Sequence, residues 1–382
     1  MSSLIKIFIC LSVFLTPLAQ AQQTPPEVPE LPVHNYVLMD FQSGRILAEK
    51  GGDERAEPAS ITKLMSGYAV YKSLREGAIT LGDQVTISEH AWRTGGSRMF
   101  VELGSRVKVE DLILGMVVQS GNDATVALAE HVAGSESAFA TLMNKEAAAL
   151  GLNHSHFMNS TGLPDPDHYM TAHDIATLAY VLIRDYPKDY ARYSIREFTY
   201  NNITQYNRNR LLTRDDSVDG IKTGYTDSAG YCLAASAKRN DMRLISVVLG
   251  AKKENDRFSA SQALLNFGFR FYETHKLYDA NQTLAETRIW GGESDQVPLG
   301  LTETLYVTIP KGRYQDMQAS LRMNSNVEAP VQKGAVLGSI VVTLGQETVN
   351  EVPLVALQDV AEAGFFGRLM DQAIRGVYSL FE

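Results

Sequence analysis

A change of hydrophobic pattern at about residue 280 most constrains how this chain folds. Before it, two apolar runs flank a Ser43-Gly44 turn, several segments show helical spacing, and strand-like runs follow over residues 219–248. After it, short alternating runs such as LYVTIPKG and GAVLGSIVVTLG are broken by glycine and proline. These patterns predict an α+β domain over residues 32–280 and a small β-sandwich domain over residues 281–360.

Apolar residues at helical spacing predict where the helices of the first domain lie. The predicted helices cover residues 64–74, 109–118, 124–132, 137–150, 171–183 and 257–267. The chain has 382 residues, enough for two domains, and a net charge of -9. Because no basic stripe is available to neutralise phosphates, the composition argues against nucleic-acid binding.

The N-terminus predicts export. Lys6 precedes an apolar run over residues 7–18, which ends at a small-residue cleavage signal, Ala19-Gln20-Ala21. The run is too short to span a bilayer, since spanning takes about 20 apolar residues. Residues 1–21 are therefore predicted to be a signal peptide. After its removal Cys232 is the only cysteine, and we expect it to be buried in an apolar strand.

The C-terminal residues 363–382 predict an amphipathic helix. Aromatic and aliphatic residues, including Phe365, fall on one face, whereas arginines and Asp371 fall on the other. A terminal helix packed on the β-sandwich would show the same pattern. Arginines on the polar face favour a helix that lies in a membrane interface, and we expect it to anchor the protein there without spanning the bilayer.

The stretch PASITKLM contains a serine and a lysine that could act as nucleophile and base. Ser60 and Lys63 are three residues apart, so both would lie on one face at a helix start. A serine hydroxyl becomes a nucleophile when a neighbouring base takes its proton, and a lysine can do so only when neutral. Taken alone, the pattern is better explained by a serine that caps the helix.

Two further motifs follow along the chain. Ser120-Gly121-Asn122 lies between predicted helices, where the serine offers a second hydroxyl and the asparagine an amide for substrate. Lys222-Thr223-Gly224 begins a strand-like run that could pair with an extended peptide. Each of these motifs alone is readily explained as an ordinary loop or surface strand.

Together, in this order, the three motifs are the signature of penicillin-binding proteins and serine β-lactamases. The stretches PASITKLM, QSGNDA, NSTGLPDPDHYMTAHDIATLA, QYNRNRLL, VDGIKTGYT and FGFRFYET resemble the low-molecular-mass penicillin-binding proteins, which are D-alanyl-D-alanine carboxypeptidases. The resemblance runs from about residue 32 to the end. It implies an antiparallel sheet with a helical cluster, removal of the terminal D-alanine from peptidoglycan pentapeptides, inhibition by penicillins, no cofactor, and peripheral attachment to the periplasmic side of the inner membrane.

The resemblance also implies roles for individual residues. Lys63 takes the proton of Ser60, and the backbone N–H groups of Ser60 and Tyr225 hold the oxyanion. Ser120 and Lys222 relay the proton to the leaving D-alanine. Asn122 and Gly224 contact the substrate, and four side chains are candidates to bind the carboxylate of D-alanine: Lys222, Thr223, Arg208 and Arg257. The base that activates the deacylating water is left open, with Lys63 preferred. Tyr225 departs from the histidine or threonine that is frequent after this motif.

Other functions remain open at this point. A serine β-lactamase would carry the same motifs, but no glutamate loop for fast hydrolysis is evident, and the extra β domain suits a cell-wall enzyme better. A D,D-endopeptidase would be a closer variant. A non-catalytic peptidoglycan-binding scaffold would be expected to have one motif broken, and all three are intact.

One cluster could suggest a metal site, namely Asp165, Asp167, His168 and His173. The resemblance instead implies a loop near the rim of the active site that leads into a helix capped by Thr171. We therefore expect no metal.

Overall fold

The computed structural model describes residues 25–324, 326–365, 367 and 371. Residues 1–21, predicted to be a signal peptide, and most of the predicted helix over residues 363–382 lie outside this range. The strands of the first part are β1 (Asn35–Asp40), β2 (Ile46–Lys50), β3 (Gln84–Thr86), β4 (Arg106–Lys108), β5 (Glu197–Tyr200), β6 (Ile203–Tyr206), β7 (Val218–Thr226), β8 (Gly230–Arg239) and β9 (Met242–Ala251). Five of them form one antiparallel sheet in the order β2-β1-β9-β8-β7.

The helices lie mainly between β2 and β7 in the chain. They are α1 (Lys63–Arg75), α2 (Glu89–Arg93), α3 (Val109–Leu114), α4 (Asn122–Ala133), α5 (Glu136–Ala149), α6 (Ala172–Asp185), α7 (Pro187–Tyr190), α8 (Leu211–Arg214) and α9 (Glu254–Phe271). A 3-10 turn (Ala59–Thr62) precedes α1, and a π-helical turn (Gly115–Gln119) follows α3. The predicted helices and the predicted α+β class are confirmed, with boundaries shifted by a few residues.

Both faces of the five-stranded sheet are covered, which explains why its central strands are apolar throughout. Side chains alternate between the faces of a strand. Ile245 and Val247 therefore join the core of the helical cluster, whereas Leu244 and Val248 join the core beneath α9. Cys232 of β8 is fully buried with a free thiol, as predicted.

The second part is all-β, as predicted. Its strands are β10 (Tyr272–Tyr278), β11 (Ala285–Trp290), β12 (Gln296–Gly300), β13 (Leu305–Pro310), β14 (Met317–Met323), β15 (Val327–Glu328), β16 (Val336–Leu344) and β17 (Glu347–Ala356). Six form a sheet in the order β14-β16-β17-β12-β11-β15, and β10 pairs with β13. The inward residues of both sheets share one core, which includes Val307, Ile309, Ile340 and Val342.

A buried carboxylate joins the two parts. Asp40, at the end of β1, is fully buried, and its Oδ1 accepts hydrogen bonds from the backbone N–H and hydroxyl of Ser43. Its Oδ2 accepts one from the Thr274 hydroxyl of β10 at 2.8 Å. Thr308 of β13 lies 2.7 Å from the Ser43 hydroxyl, and its carbonyl oxygen accepts from Arg45 Nη1 at 2.7 Å. Since β10 follows α9 directly, no linker separates the parts.

The start of the C-terminal segment contacts the β domain. Phe365, Gly367 and Asp371 have helical backbone. The Asp371 carboxylate accepts hydrogen bonds from the Gly291 N–H at 2.6 Å and from Arg288 Nη2 at 3.4 Å. Within the described residues, none of the helices has the length and apolar character that a membrane span requires.

Candidate active site

Ser60 lies in the 3-10 turn that leads into α1, and its hydroxyl faces Lys63. Neither the turn nor α1 has a side-chain cap, so Ser60 does not cap the helix. Lys63 Nζ lies 2.9 Å from Ser60 Oγ. Ala59 has a φ of 47°, a conformation that is strained for a residue with a side chain. Gly162 packs on its carbonyl so closely that an added Cβ would lie 1.8 Å away, so only glycine fits there.

The Lys63 side chain makes two further contacts to distant parts of the chain. Its Nζ donates to Asn122 Oδ1 at 2.7 Å and to the Thr161 carbonyl oxygen at 2.8 Å. Both of these oxygens can only accept hydrogen bonds, whereas the Ser60 hydroxyl can also donate. A neutral Lys63 therefore gives its two hydrogens to Asn122 and Thr161 and turns its lone pair to the Ser60 hydroxyl.

Burial makes this neutral form accessible near neutral pH. Lys63 is 1% exposed. Burial, opposed by the charges of Asp123 and Glu136 and helped by that of Arg208, lowers its pKa to about 7. A substantial fraction of the amine is thus unprotonated near neutrality, as a general base requires.

Ser120 is held in a left-handed conformation by the end of the π-helical turn. Its φ is 65°, and it is 2% exposed. The Ser120 Oγ is buried without a hydrogen-bond partner among the residues that the structure describes. Such a hydroxyl has its full bonding capacity available for a substrate, since buried polar groups otherwise find partners.

The loop before this motif is fixed by two residues at the start of α4. Asn122 Nδ2 donates to the Gly95 carbonyl oxygen at 2.6 Å. The buried Asp123 carboxylate accepts the backbone N–H groups of Met99, Phe100 and Val101. Asn122 therefore links this loop to Lys63, and sequence analysis did not assign a role to Asp123.

Lys222 lies on β7, the edge strand of the sheet, with its side chain buried. Its Nζ donates to the Thr223 carbonyl oxygen at 3.0 Å. Burial, reinforced by the positive charges of Lys63, Arg208 and Arg257, holds its pKa well below the ordinary range. Gly224 follows, and a Cβ there would lie 2.8 Å from the Pro58 carbonyl oxygen, so glycine lets β7 approach the Ser60 turn.

The two candidate arginines are placed differently. Arg257 is buried, and its guanidinium donates to the Gly224 carbonyl oxygen at 3.1 Å and to Glu254 at 3.2 Å. It therefore holds the backbone of β7 at Gly224. Arg208 is exposed, and its Nε donates to the carbonyl oxygen of Gln119, the residue before Ser120. Tyr225 is half exposed, and its ring stacks on Tyr231 with 4.3 Å between centroids.

Sequence analysis missed the turn around Thr161. Asn159 Oδ1 accepts the backbone N–H groups of Thr161 and Gly162, and the turn presents the Thr161 carbonyl oxygen to Lys63. The signal was the turn-forming stretch NSTG, in which asparagine, serine and glycine favour such a conformation.

The histidines and aspartates of the neighbouring loop do not converge. His168 is buried, and burial lowers its pKa to about 4. Its Nδ1 accepts from the Met158 N–H, so the proton is on Nε2, which bonds Thr62. His173 lies instead between Asp53 and Glu49. Within the described ranges, no group of three acidic, histidine or cysteine residues could hold a metal.

The predicted helix cap next to this loop is confirmed. Thr171 precedes α6, and its hydroxyl accepts the Asp174 N–H at 3.1 Å.

Known proteins with similar sequences share this arrangement of domains. Residues 20–253 match the D-alanyl-D-alanine carboxypeptidase family, peptidase S11, and residues 272–362 match the C-terminal domain of penicillin-binding protein 5. The D-alanyl-D-alanine carboxypeptidase DacC of Escherichia coli is 44% identical over 381 residues, which cover 97% of this chain and 95% of that protein.

Solved structures of similar proteins support the same family. Penicillin-binding protein 5 from Haemophilus influenzae superposes with a TM-score of 0.85 at 42% identity, covering 89% of this chain and 100% of that one. Penicillin-binding protein D2 from Listeria monocytogenes, in its ampicillin-bound form, matches with a TM-score of 0.59 at 27% identity, over 63% of this chain and 99% of that one. The chain therefore belongs to the D-alanyl-D-alanine carboxypeptidase family of serine peptidases, the low-molecular-mass penicillin-binding proteins.

Proposed function

We propose that the protein removes the terminal D-alanine from peptidoglycan pentapeptides through an acyl-enzyme on Ser60. The observation that carries this proposal is the contact of 2.9 Å between Ser60 Oγ and Lys63 Nζ. The two other hydrogen bonds of Nζ go to Asn122 Oδ1 and to the Thr161 carbonyl oxygen, which can only accept. Release of D-alanine from a synthetic pentapeptide, measured with the purified protein, tests it directly. A protein that binds the peptide and releases no D-alanine would contradict it.

The acylation step follows from these positions. Neutral Lys63 accepts the Ser60 proton while Oγ attacks the carbonyl carbon between the two D-alanines. The resulting oxyanion is held by two backbone N–H groups: that of Ser60, because the first N–H groups of a helix lack intrahelical partners, and that of Tyr225 on the edge strand β7. Breaking of the C–N bond releases D-alanine, whose amine takes a proton relayed through Ser120 and Lys222. Water then hydrolyses the ester and frees Ser60, with Lys63 as the proposed base.

The edge strand β7 gives the peptide a place to bind. An extended substrate that adds beside residues 222–225 would be recognised mainly through its backbone. Asn122 offers an amide to the substrate, and Lys222, Thr223 and the exposed Arg208 are the candidates for the D-alanine carboxylate. Arg257 acts through Gly224, whose carbonyl oxygen it holds at 3.1 Å.

The rate of acylation is expected to rise with pH. Only the neutral amine of Lys63 can accept a proton, and its pKa is about 7. The neutral fraction therefore grows about tenfold per pH unit well below this value and levels off above it. The second-order rate constant for a fluorescent penicillin, measured across this range, should show an ascending limb with its midpoint near 7. A rate independent of pH would contradict a neutral lysine base.

Penicillins should acylate Ser60 and stay bound; the similar protein from Listeria monocytogenes was solved in an ampicillin-bound form. A serine β-lactamase would instead hydrolyse the adduct quickly. The lifetime of the penicilloyl-enzyme, followed by mass spectrometry of the intact protein, separates the two activities. Turnover within seconds would favour the β-lactamase.

A D,D-endopeptidase would cleave cross-links and leave terminal D-alanine in place. Digestion of purified peptidoglycan, followed by mass spectrometry of the muropeptides, distinguishes loss of one D-alanine from loss of cross-linked dimers. We expect the first.

The proposed place of work is the periplasmic face of the inner membrane, after export by residues 1–21 and anchoring by residues 363–382. Asp371 belongs to the polar face of the predicted helix, and the β domain binds its carboxylate. Phe365 belongs to the apolar face and is 70% exposed. The bonds of Asp371 support a helix whose polar face lies towards the β domain.

Sedimentation with vesicles tests this anchoring. The chain without residues 1–21 should bind vesicles that contain anionic phospholipid, and a chain that also lacks residues 363–382 should lose most of that binding. Equal binding by both chains would contradict a C-terminal anchor. Release of D-alanine from a soluble pentapeptide, equal in both, is the control for folding.

A further inference from the structure

A glutamate at the start of α5 lies behind the catalytic lysine and has no part in the reaction described so far. Glu136 is largely buried, with 17% of its side chain exposed. Its Oε1 accepts the backbone N–H of Ser160 at 3.0 Å and the Ser160 hydroxyl at 2.7 Å. Its Oε2 lies 2.8 Å from Nε2 of His90, a residue of α2. The carboxylate thus joins two helices to the turn that contains Ser160.

That turn supplies one of the three partners of Lys63. Thr161 directly follows Ser160, and its carbonyl oxygen accepts from Lys63 Nζ at 2.8 Å. Ser66 of α1 holds the peptide unit between Ser160 and Thr161, because its hydroxyl donates to the Ser160 carbonyl oxygen. Glu136 therefore holds Ser160, the residue directly before the one whose carbonyl oxygen orients the base. A cleft of about 310 Å³, lined in part by Glu136, His90 and Thr161, opens beside it.

Glu136 also acts on Lys63 through its charge. The groups that bear on the Lys63 ammonium from neighbouring elements are the carboxylates of Asp123 and Glu136 and the guanidinium of Arg208. Lys222 and His168 face it as well, since the charge of Lys63 lowers the pKa of each. Among these, Glu136 combines a charge effect with a hydrogen bond to the turn that binds Lys63.

We propose that Glu136 is a positioning residue for the acylation of Ser60, because it fixes the Thr161 carbonyl oxygen that orients Lys63. The role rests on the proposed function, in which Lys63 is the base. Glu136 does not touch the reacting atoms, so it acts through the turn and through its charge. His90 holds the other carboxylate oxygen.

Two substitutions separate these effects. In Glu136→Gln, the amide oxygen can accept both Ser160 bonds and the amide nitrogen can donate to His90, so the turn is retained while the charge is lost. In Glu136→Ala, both the bonds and the charge are lost. Loss of the negative charge disfavours the ammonium form of Lys63, so its pKa should fall in both variants.

The experiment measures the acylation rate of the whole chain by a fluorescent penicillin as a function of pH. We expect Glu136→Gln to keep the rate of the wild type on the alkaline plateau, with the midpoint of the ascending limb moved to lower pH. We expect Glu136→Ala to lower the plateau about tenfold, because the base is no longer held. Glu146→Gln is the matched control: Glu146 lies on the same helix and pairs with Lys72 at 2.7 Å, remote from the turn. Its pH profile should equal that of the wild type.

The outcomes are distinct. If the wild type is acylated and Glu136→Ala keeps the plateau of the wild type, the positioning role is wrong, whatever the midpoint, while the proposed function stands. If Glu146→Gln shifts the profile as Glu136→Gln does, the effect is one of general stability and the role is also wrong. If the wild type is not acylated at all, the proposed function fails and the role of Glu136 fails with it.

Discussion

Replacement of Ser60 by alanine should lower D-alanine release by at least about 10⁴-fold and remove all covalent labelling by penicillin, since loss of a serine nucleophile costs this much or more in serine peptidases. The reason is local. Ser60 Oγ is the hydroxyl in contact with Lys63 Nζ, and no step of the proposed reaction can start without it. The fold should survive, because the hydroxyl caps no helix.

Two measurements check this expectation, namely D-alanine release from a pentapeptide and labelling by a fluorescent penicillin. The matched control is Ser73→Ala. Ser73 is a buried serine of α1 whose hydroxyl donates only to the Ala69 carbonyl oxygen one turn earlier. It should label as the wild type does. Equal labelling of Ser60→Ala and wild type would show that another residue is the nucleophile.

Replacement of Lys63 by methionine is expected to lower acylation by about 10²- to 10⁴-fold, the usual contribution of a general base. Methionine fills a similar volume and cannot accept a proton. The variant should still fold. The loss of hydrogen bonds to Asn122 Oδ1 and to the Thr161 carbonyl oxygen is opposed by removal of a fully buried amine.

The rate of penicillin acylation, together with a thermal unfolding curve, tests this variant. Lys72→Met is its control, because Lys72 lies on the same helix and its Nζ binds Glu146 at 2.7 Å. This control should lose stability and keep its acylation rate. A Lys63→Met protein that is folded and acylates at the rate of the wild type would rule out Lys63 as the base.

The sequence predicted those elements whose hydrophobic pattern is long enough to be recognised. Helices α1 and α6 are examples, because apolar residues recur at helical spacing along each. Strands β8 and β9 are others, because both of their faces are buried and each is a largely apolar run of ten residues. The short pairs β3–β4 and β5–β6 were not predicted, since three or four residues carry no readable period. They form because tertiary contacts hold them.

The same limit applies to the site. Spacing of three residues predicted that Ser60 and Lys63 share a face, and the 2.9 Å contact agrees. The bond to Thr161 spans 98 residues and uses a backbone carbonyl, which every residue type has. The stretch NSTG predicts a turn at this place, but no residue pattern indicates which distant side chain its carbonyl oxygen binds. The support of Gly224 by Arg257 was missed for a similar reason, since the acceptor is again a backbone oxygen.

The hydrogen bonds around the buried Asp40 couple the stability of the two domains, which the hydrophobic pattern of the sequence does not indicate. A shortened chain that stopped at Phe271, the end of α9, would lack the hydroxyls of Thr274 and Thr308. It would lose the bond from the Thr274 hydroxyl to the Asp40 carboxylate and expose the end of β1 to water, at a cost of about 1.5–3 kcal/mol for a hydrogen bond to a charged group. Part of the stability of the serine peptidase unit is therefore supplied by the β domain that follows it.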